Sequence, residues 1–261
     1  MKLSEIKKMK NLMILMKGES GTGKTIAAAS FPEPIKMLSC DGRIEPLLHF
    51  PKVRERDIDV DIYNKYSDII QALESLTRGN SFCTIVVDGL MAYSRLVISH
   101  IIEQRGGQTE VKIKGEKEPL TVGGIPIMAI NEYKGESSAL FNLVMALRVL
   151  KEHGANIILT AHVVVSEQQV LGGSTRVTRQ LLTGGVKIGA EIPTYFDEVY
   201  HFYGNSPGLN ETPRYYAITQ GTGDDYARTS FYGLQKEIDF TDGLFYDELL
   251  KAIDSIGEFQ K

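Results

Sequence analysis

Gly18-Glu19-Ser20-Gly21-Thr22-Gly23-Lys24-Thr25 decides the reading of this chain. It follows the short apolar run Leu12 to Met16 and precedes a small-residue run, Ile26 to Ala29, that reads as the start of a helix. Glycines let the backbone turn tightly enough to aim successive N–H groups inward, with no Cβ in the way of a phosphate. A helix beginning there adds unpaired N–H groups and the positive end of its dipole. Lys24 is then placed to reach β- and γ-phosphates, and the Thr25 hydroxyl to ligate Mg²⁺, as in the G-x-x-x-x-G-K-[ST] phosphate loop. All eight residues, Gly18 through Thr25, are expected to cradle the nucleotide.

Working outward, strands and helices alternate. Lys24 to Ser30 reads as a helix stopped by Pro32 and Pro34. Ile35 to Cys40 is a short apolar strand ending at Asp41-Gly42. Ser67 to Thr77 carries Ile69, Ile70, Leu73 and Leu76 at helical spacing, with Ser67 as the expected cap. Phe82 to Val87 is a continuous apolar run ending in Asp88, the pattern of a parallel strand buried on both faces. Helices are expected over about Ala92–Gln104 and Ser137–Glu152, the latter with Leu140, Leu143, Val144, Leu147 and Leu150 on one face. Asn156 to Thr160 is another buried strand, running into Ala161-His162. Phe196–Tyr203, Arg214–Thr219 and Tyr226–Phe231 read as late strands with turns at 205–207 and 221–224, and a helix closes the chain over about Asp247–Ile256. The fold class is α/β: a P-loop NTPase with a mostly parallel sheet, helices on both faces and late antiparallel strands.

Composition bounds the rest. With 261 residues, 43% hydrophobic and 24% charged, the chain is ordinary globular material and long enough for one large α/β domain. The formal net charge of −4 excludes a surface coated in positive charge, but not a local basic groove. Cys40 and Cys83 sit in apolar runs and read as reduced core thiols. The apolar run Leu12–Met16 is too short for a secretion signal and leads straight into the phosphate loop. No stretch approaches the ~20 apolar residues of a membrane span, so a soluble, cytoplasmic protein is expected.

Two carboxylates and a histidine stand at strand ends where the chemistry needs them. Asp88, at the carboxyl end of a central strand beside the phosphate loop, is expected to hold Mg²⁺ together with Thr25. Hydrolysis also needs a carboxylate to orient the attacking water. No Glu follows Asp88, so Asp41, at the neighbouring strand end, is the candidate. His162 at the tip of its strand can sense the γ-phosphate. Arg228 is a candidate arginine finger supplied to a neighbouring subunit. Two long segments, 106–135 and 166–192, carry Lys112, Lys114, Lys117 and Lys134, then Arg176, Arg179 and Lys187. Loops with spaced cations suit a phosphodiester backbone, which binds largely by charge.

On these residues the chain resembles the phage-type RecA-like ATPases, a group that includes single-strand-annealing recombination proteins. The likeness runs from about Leu12 to Phe231. It rests on Gly18–Thr25, Leu38–Gly42, Thr84–Asp88, the strand end Ile158-Leu159-Thr160-Ala161-His162, Glu191-Ile192-Pro193 with Phe196-Asp197-Glu198-Val199, and Tyr226–Ser230. The resemblance implies a single RecA-like domain over 1–261 that binds ATP and Mg²⁺ and assembles head to tail into a homo-oligomer. It also implies contact with single-stranded DNA through the loops after the later strands. Asp41 would stand where the group commonly has a catalytic Glu, and Arg228 would match a basic position in the late strand. The segment 106–135 departs from the compact pattern. A small-molecule or nucleotide kinase on the same loop, and a non-catalytic nucleotide-binding module that recruits a replication or packaging partner, are the alternatives.

Overall fold

The computed structural model describes residues 11–106, 110–113, 116–119, 121–122, 125–129, 132–169, 175–205, 212–222 and 225–258. Residues 1–10, Lys114 and the expected turn positions 206–207 and 223–224 lie outside the described residues, as do the side chains of Lys112, Lys117 and Arg176.

The first half of the chain alternates as the sequence suggests: β1 (Met13–Gly18), α1 (Lys24–Ala28), β2 (Ile35–Ser39), α2 (Glu45–His49), α3 (Pro51–Arg54), β3 (Ile58–Ile62), α4 (Tyr66–Arg78), β4 (Thr84–Asp88) and α5 (Leu90–Gln104). Two small antiparallel pairs follow, β5 (Glu110–Ile113) with β6 (Glu116–Pro119) and β7 (Thr121–Val122) with β8 (Ile125–Pro126). The long helix α6 (Tyr133–Glu152) leads into β9 (Asn156–Ala161). A hairpin of β10 (Val163–Gln169) and β11 (Thr175–Leu181), the helix α7 (Val186–Glu191) and a 3₁₀ turn at Ile192–Tyr195 then lead to β12 (Glu198–Asn205), β13 (Arg214–Ile218), β14 (Glu237–Asp239) and α8 (Phe245–Glu258).

One sheet organises these elements, in the order β14-β13-β12-β1-β9-β4-β2-β3. Strands β12 through β3 in that order run parallel, and β13 and β14 are antiparallel additions. This is the expected mostly parallel P-loop sheet with late antiparallel strands. Side chains of a strand alternate between its faces, and β1 divides its own accordingly. Met13 and Leu15 join the core formed with α4, α5 and α6, while Ile14 and Met16 join the one formed with α1, α2, α3 and α8. The apolar face read in α6 is buried as expected: Leu140, Leu143, Val144, Leu147 and Leu150 all lie in the first core. Burial of each such side chain contributes about 1.5–3 kcal/mol.

Four expectations are corrected. β12 pairs in parallel with β1, so the antiparallel additions begin one strand later, at β13. Tyr226–Phe231 forms no strand: one two-way backbone bridge joins Arg228 to Val199, and the sheet's edge is taken instead by Glu237–Asp239. Ser67 does not cap α4, because the helix already includes Tyr66 and the Ser67 hydroxyl donates to Asp68 Oδ1 at 2.8 Å. Cys83 is exposed just before β4 begins, whereas Cys40 is buried. Among the described residues no helix is long and apolar enough to cross a membrane.

Candidate nucleotide-binding site

The parallel strands β1, β4 and β9 lie side by side, so their carboxyl ends open onto one place. β1 delivers the phosphate loop. At its end, a Cβ on Gly18 would sit 2.1 Å from the Phe202 carbonyl oxygen, a clash that any residue other than glycine would suffer. Gly23 enters α1 at φ +84°, the left-handed region that favours glycine, with the rings of Phe240 and Tyr215 3.3–3.4 Å from where its Cβ would be. Between them the loop closes on itself. Thr22 Oγ1 donates to the Glu19 carbonyl at 2.9 Å. Lys24 Nζ donates to the Gly18 and Glu19 carbonyls at 3.0 and 2.5 Å and to Thr22 Oγ1 at 3.2 Å. Burial brings the Lys24 ammonium down to about 8, against the pull of Asp88, Glu19 and Asp41.

β4 delivers Asp88, which is 4% exposed. Its carboxylate accepts from Thr25 Oγ1 at 3.1 Å and from Thr160 Oγ1. Thr160 in turn accepts the Gly89 N–H at 2.9 Å, so β9 holds both Asp88 and the first turn after it. Burial pushes the Asp88 carboxyl up, and the Thr160 and Thr25 hydroxyls pull it back. In the sequence Thr160 stands out only as part of a strand end. Its polarity at the tip of an otherwise apolar strand was the available signal. Thr160→Val strands a buried carboxylate oxygen and a buried amide, so we expect a loss of about 1–3 kcal/mol in urea unfolding.

Asp41 and His162 line the same cavity, whose volume is about 420 Å³. The Asp41 carboxylate caps its own turn by accepting the Arg43 N–H at 3.0 Å, and its Cγ lies 3.6 Å from where a Cβ on Gly89 would be. It thus stands exposed at the mouth, next to the residue that follows Asp88. Burial, then the Lys24 charge, lower His162, while its hydrogen bond with the Gly18 carbonyl raises it. The His162 carbonyl accepts the Leu182 N–H at 2.8 Å, so this residue joins the phosphate loop to the base of the β10–β11 hairpin.

Arg228 is not brought to this site. Its guanidinium donates to the Phe196 carbonyl at 2.5 Å, just before β12 begins and away from the cavity lining. Two features of the site carry no motif in the sequence. One is the aromatic wall of Tyr215 and Phe240. The other is a buried ionic cluster: Lys17, directly before Gly18, pairs with Asp225, whose other oxygen lies 2.9 Å from His201 Nδ1. A lysine between the apolar run Leu12–Met16 and the loop is the one visible trace of that cluster.

The donor set suits Mg²⁺. A hydroxyl and a carboxylate 3.1 Å apart at the mouth of a phosphate loop leave most positions to water and phosphate oxygens, as that hard cation prefers. Among the described residues there is no cluster of three or more His, Cys, Asp or Glu able to form an all-protein metal cage.

No curated protein matches the chain. Among solved structures it is similar to a KaiC-like protein from the hyperthermophilic archaeon Pyrococcus horikoshii, at 15% identity over 90% of this chain and 87% of that one, with a TM-score of 0.47. A family described as an AAA domain matches residues 10–229, a span that takes in the phosphate loop, Asp41, Asp88 and His162. By that match the chain belongs to the AAA-domain family.

Proposed function

We propose that this protein binds ATP with Mg²⁺, hydrolyses it, and uses the nucleotide state to control its grip on single-stranded DNA. The observation that carries the nucleotide reading is the convergence of Lys24, Thr25 and Asp88, from two elements, on one cavity. Thr25 and Asp88 would hold the metal, which when bound screens the charge on the β- and γ-phosphates. Lys24 leaves the Gly18 and Glu19 carbonyls and donates to the phosphates instead. The phosphates' negative charge keeps the ammonium protonated in spite of burial. Asp41, exposed at the mouth, orients the attacking water. His162 reports loss of the γ-phosphate to the hairpin through its two contacts, one with Gly18 and one with Leu182.

Support for the DNA partner comes from where the cations fall. Arg179 lies on the hairpin that His162 anchors, and Lys187 and Lys134 are exposed on the adjoining helices. Phosphodiester contacts of this kind release counterions, so affinity should fall linearly in log–log terms with salt. Fluorescence anisotropy with a labelled single strand, with ATP, ADP or neither, tests the proposal. We expect affinity to depend on the nucleotide and to weaken ~10-fold or more between 50 and 200 mM salt. Equal affinity in all three nucleotide states would remove the coupling, and no affinity at low salt would remove the partner. Head-to-tail assembly with Arg228 as a finger in trans belongs to the same proposal. It predicts that Arg228→Ala lowers turnover only in the assembled particle, as judged by activity against protein concentration.

A further inference from the structure

The cavity of about 420 Å³ is lined by Asp41, Asp88 and His162 from the strand ends and also by three rings that pack on one another, Tyr215, Phe240 and Phe245. Phe240 is 6% exposed and held edge-on by Phe202 and Phe245, with ring centroids 5.5 Å away in each case. Tyr215 leans on Phe240 at 6.0 Å with the planes 31° apart and is only half-buried, so part of it remains available. Both rings come close to Gly23, in the middle of the phosphate loop. A ribose and base attached to phosphates in that loop would therefore meet this wall. Close to these rings, Thr241 offers a hydroxyl whose oxygen already accepts the Tyr215 N–H at 2.9 Å, while the exposed Arg43 bears on His162 and the remaining polar side chains of the lining belong to the phosphate loop or are Asp41, Asp88, Thr160 and His162.

Resting on the nucleotide reading above, we infer that the base is held by stacking on Tyr215 rather than by hydrogen-bond readout, so that the site accepts nucleoside triphosphates with little regard to the base. The magnitudes separate the two cases. A site built to hydrogen-bond its substrate rejects an analogue lacking the group by ~10⁴–10⁵-fold. Stacking on an aromatic ring is worth about 1–3 kcal/mol and is available to every base.

Calorimetry with Mg²⁺ and ATP, GTP, CTP or inorganic tripolyphosphate tests this, on the wild type and on Tyr215→Ala and Tyr215→Phe. We expect the three nucleotides to bind the wild type within ~10-fold of each other. Tyr215→Ala should weaken all three by ~10- to 100-fold while tripolyphosphate affinity stays within about twofold, which also shows that the loop is intact. Tyr215→Phe, keeping the ring, should bind all four ligands as the wild type does. A wild-type preference of ~1000-fold or more for one base overturns the inference. So does equal weakening of ATP and tripolyphosphate in Tyr215→Ala, or loss of one base's affinity alone in Tyr215→Phe. A wild type that binds neither ATP nor tripolyphosphate instead overturns the nucleotide reading itself.

Discussion

Lys24→Met should lose ATP turnover by ~10²–10³-fold or more, the cost of removing one preorganised donor to the transferring phosphoryl group, and yet leave the fold at least as stable as before. The second half of that expectation follows from the environment of the ammonium. Lys24 is 7% exposed, and burial lowers its pKa from 10.5 to about 8. The unfolded chain therefore holds this proton more tightly than the folded one. Below pH 8 the folded state carries a desolvated charge, and that penalty is relieved as pH rises from about 8 to 10.5, a span worth about 3 kcal/mol. A methionine of similar length avoids the penalty but gives up the hydrogen bonds to Gly18, Glu19 and Thr22, which offsets part of the gain. At neutral pH the net should be zero to about 2 kcal/mol in favour of the variant, the sign expected of a group kept for function rather than stability. Coupled-assay turnover and urea unfolding at pH 7 and 9.5 check both halves. Wild-type turnover in Lys24→Met would remove the proposed role of the phosphate loop. A variant several kcal/mol less stable would show that Lys24 is instead a structural fastening of the loop.

The parts of this site legible in the sequence are those set by short-range geometry. Gly18 to Thr25 declares itself because each residue type answers a local requirement: φ at Gly23, close approach at Gly18, a hydroxyl at Thr25. Asp88 is legible because an acid ending a five-residue apolar strand can only lie at the strand's carboxyl end. The sheet order was not legible, because pairing of β12 with β1 is decided by contacts some 180 residues apart, such as Leu15 against Val199. Propensity also misplaced the edge strand. Tyr226-Ala227-Arg228-Thr229 has the composition of a strand, but the backbone there is drawn off by a bridge to Val199 and by Asp225, whose carboxylate is committed to Lys17 and His201. Tyr215 and Phe240 lie on separate segments of a small antiparallel addition, and nothing local marks either as facing a loop near the start of the chain. Such placements depend on tertiary packing, which overrides local preference.

Asp225→Asn should destabilise the protein by about 3–5 kcal/mol, because it leaves the Lys17 ammonium buried without its counter-charge. Lys17 and His201 are register partners on the parallel pair β1–β12, so their side chains stand next to each other on one face, and Asp225 reaches both. All three are at least nine-tenths buried. Burial alone would raise Asp225, but hydrogen bonds and charge from His201 and Lys17 prevail and bring it to about 2. Burial, more than any neighbour, lowers Lys17. The sign of the acid effect follows. The folded carboxylate is harder to protonate than the unfolded one, so its stabilisation is fully present above about pH 4 and disappears as pH falls from about 4 to 2. Asp225→Asn should lose that limb of the stability–pH curve while keeping the rest of its shape. The double variant Lys17→Met/Asp225→Leu separates two explanations of the loss. If the amide is harmful because a lysine is stranded beside it, removing both charges should restore most of the stability, since buried pairs replaced by apolar groups of similar volume are commonly neutral or better. If the double variant is as unstable as Asp225→Asn, Asp225 acts through the backbone of its segment rather than through charge. The restored variant should then show what the pair does for the site: with Lys17 one residue before Gly18, ATP affinity that changes while stability is recovered would make the cluster a positioning element for the phosphate loop.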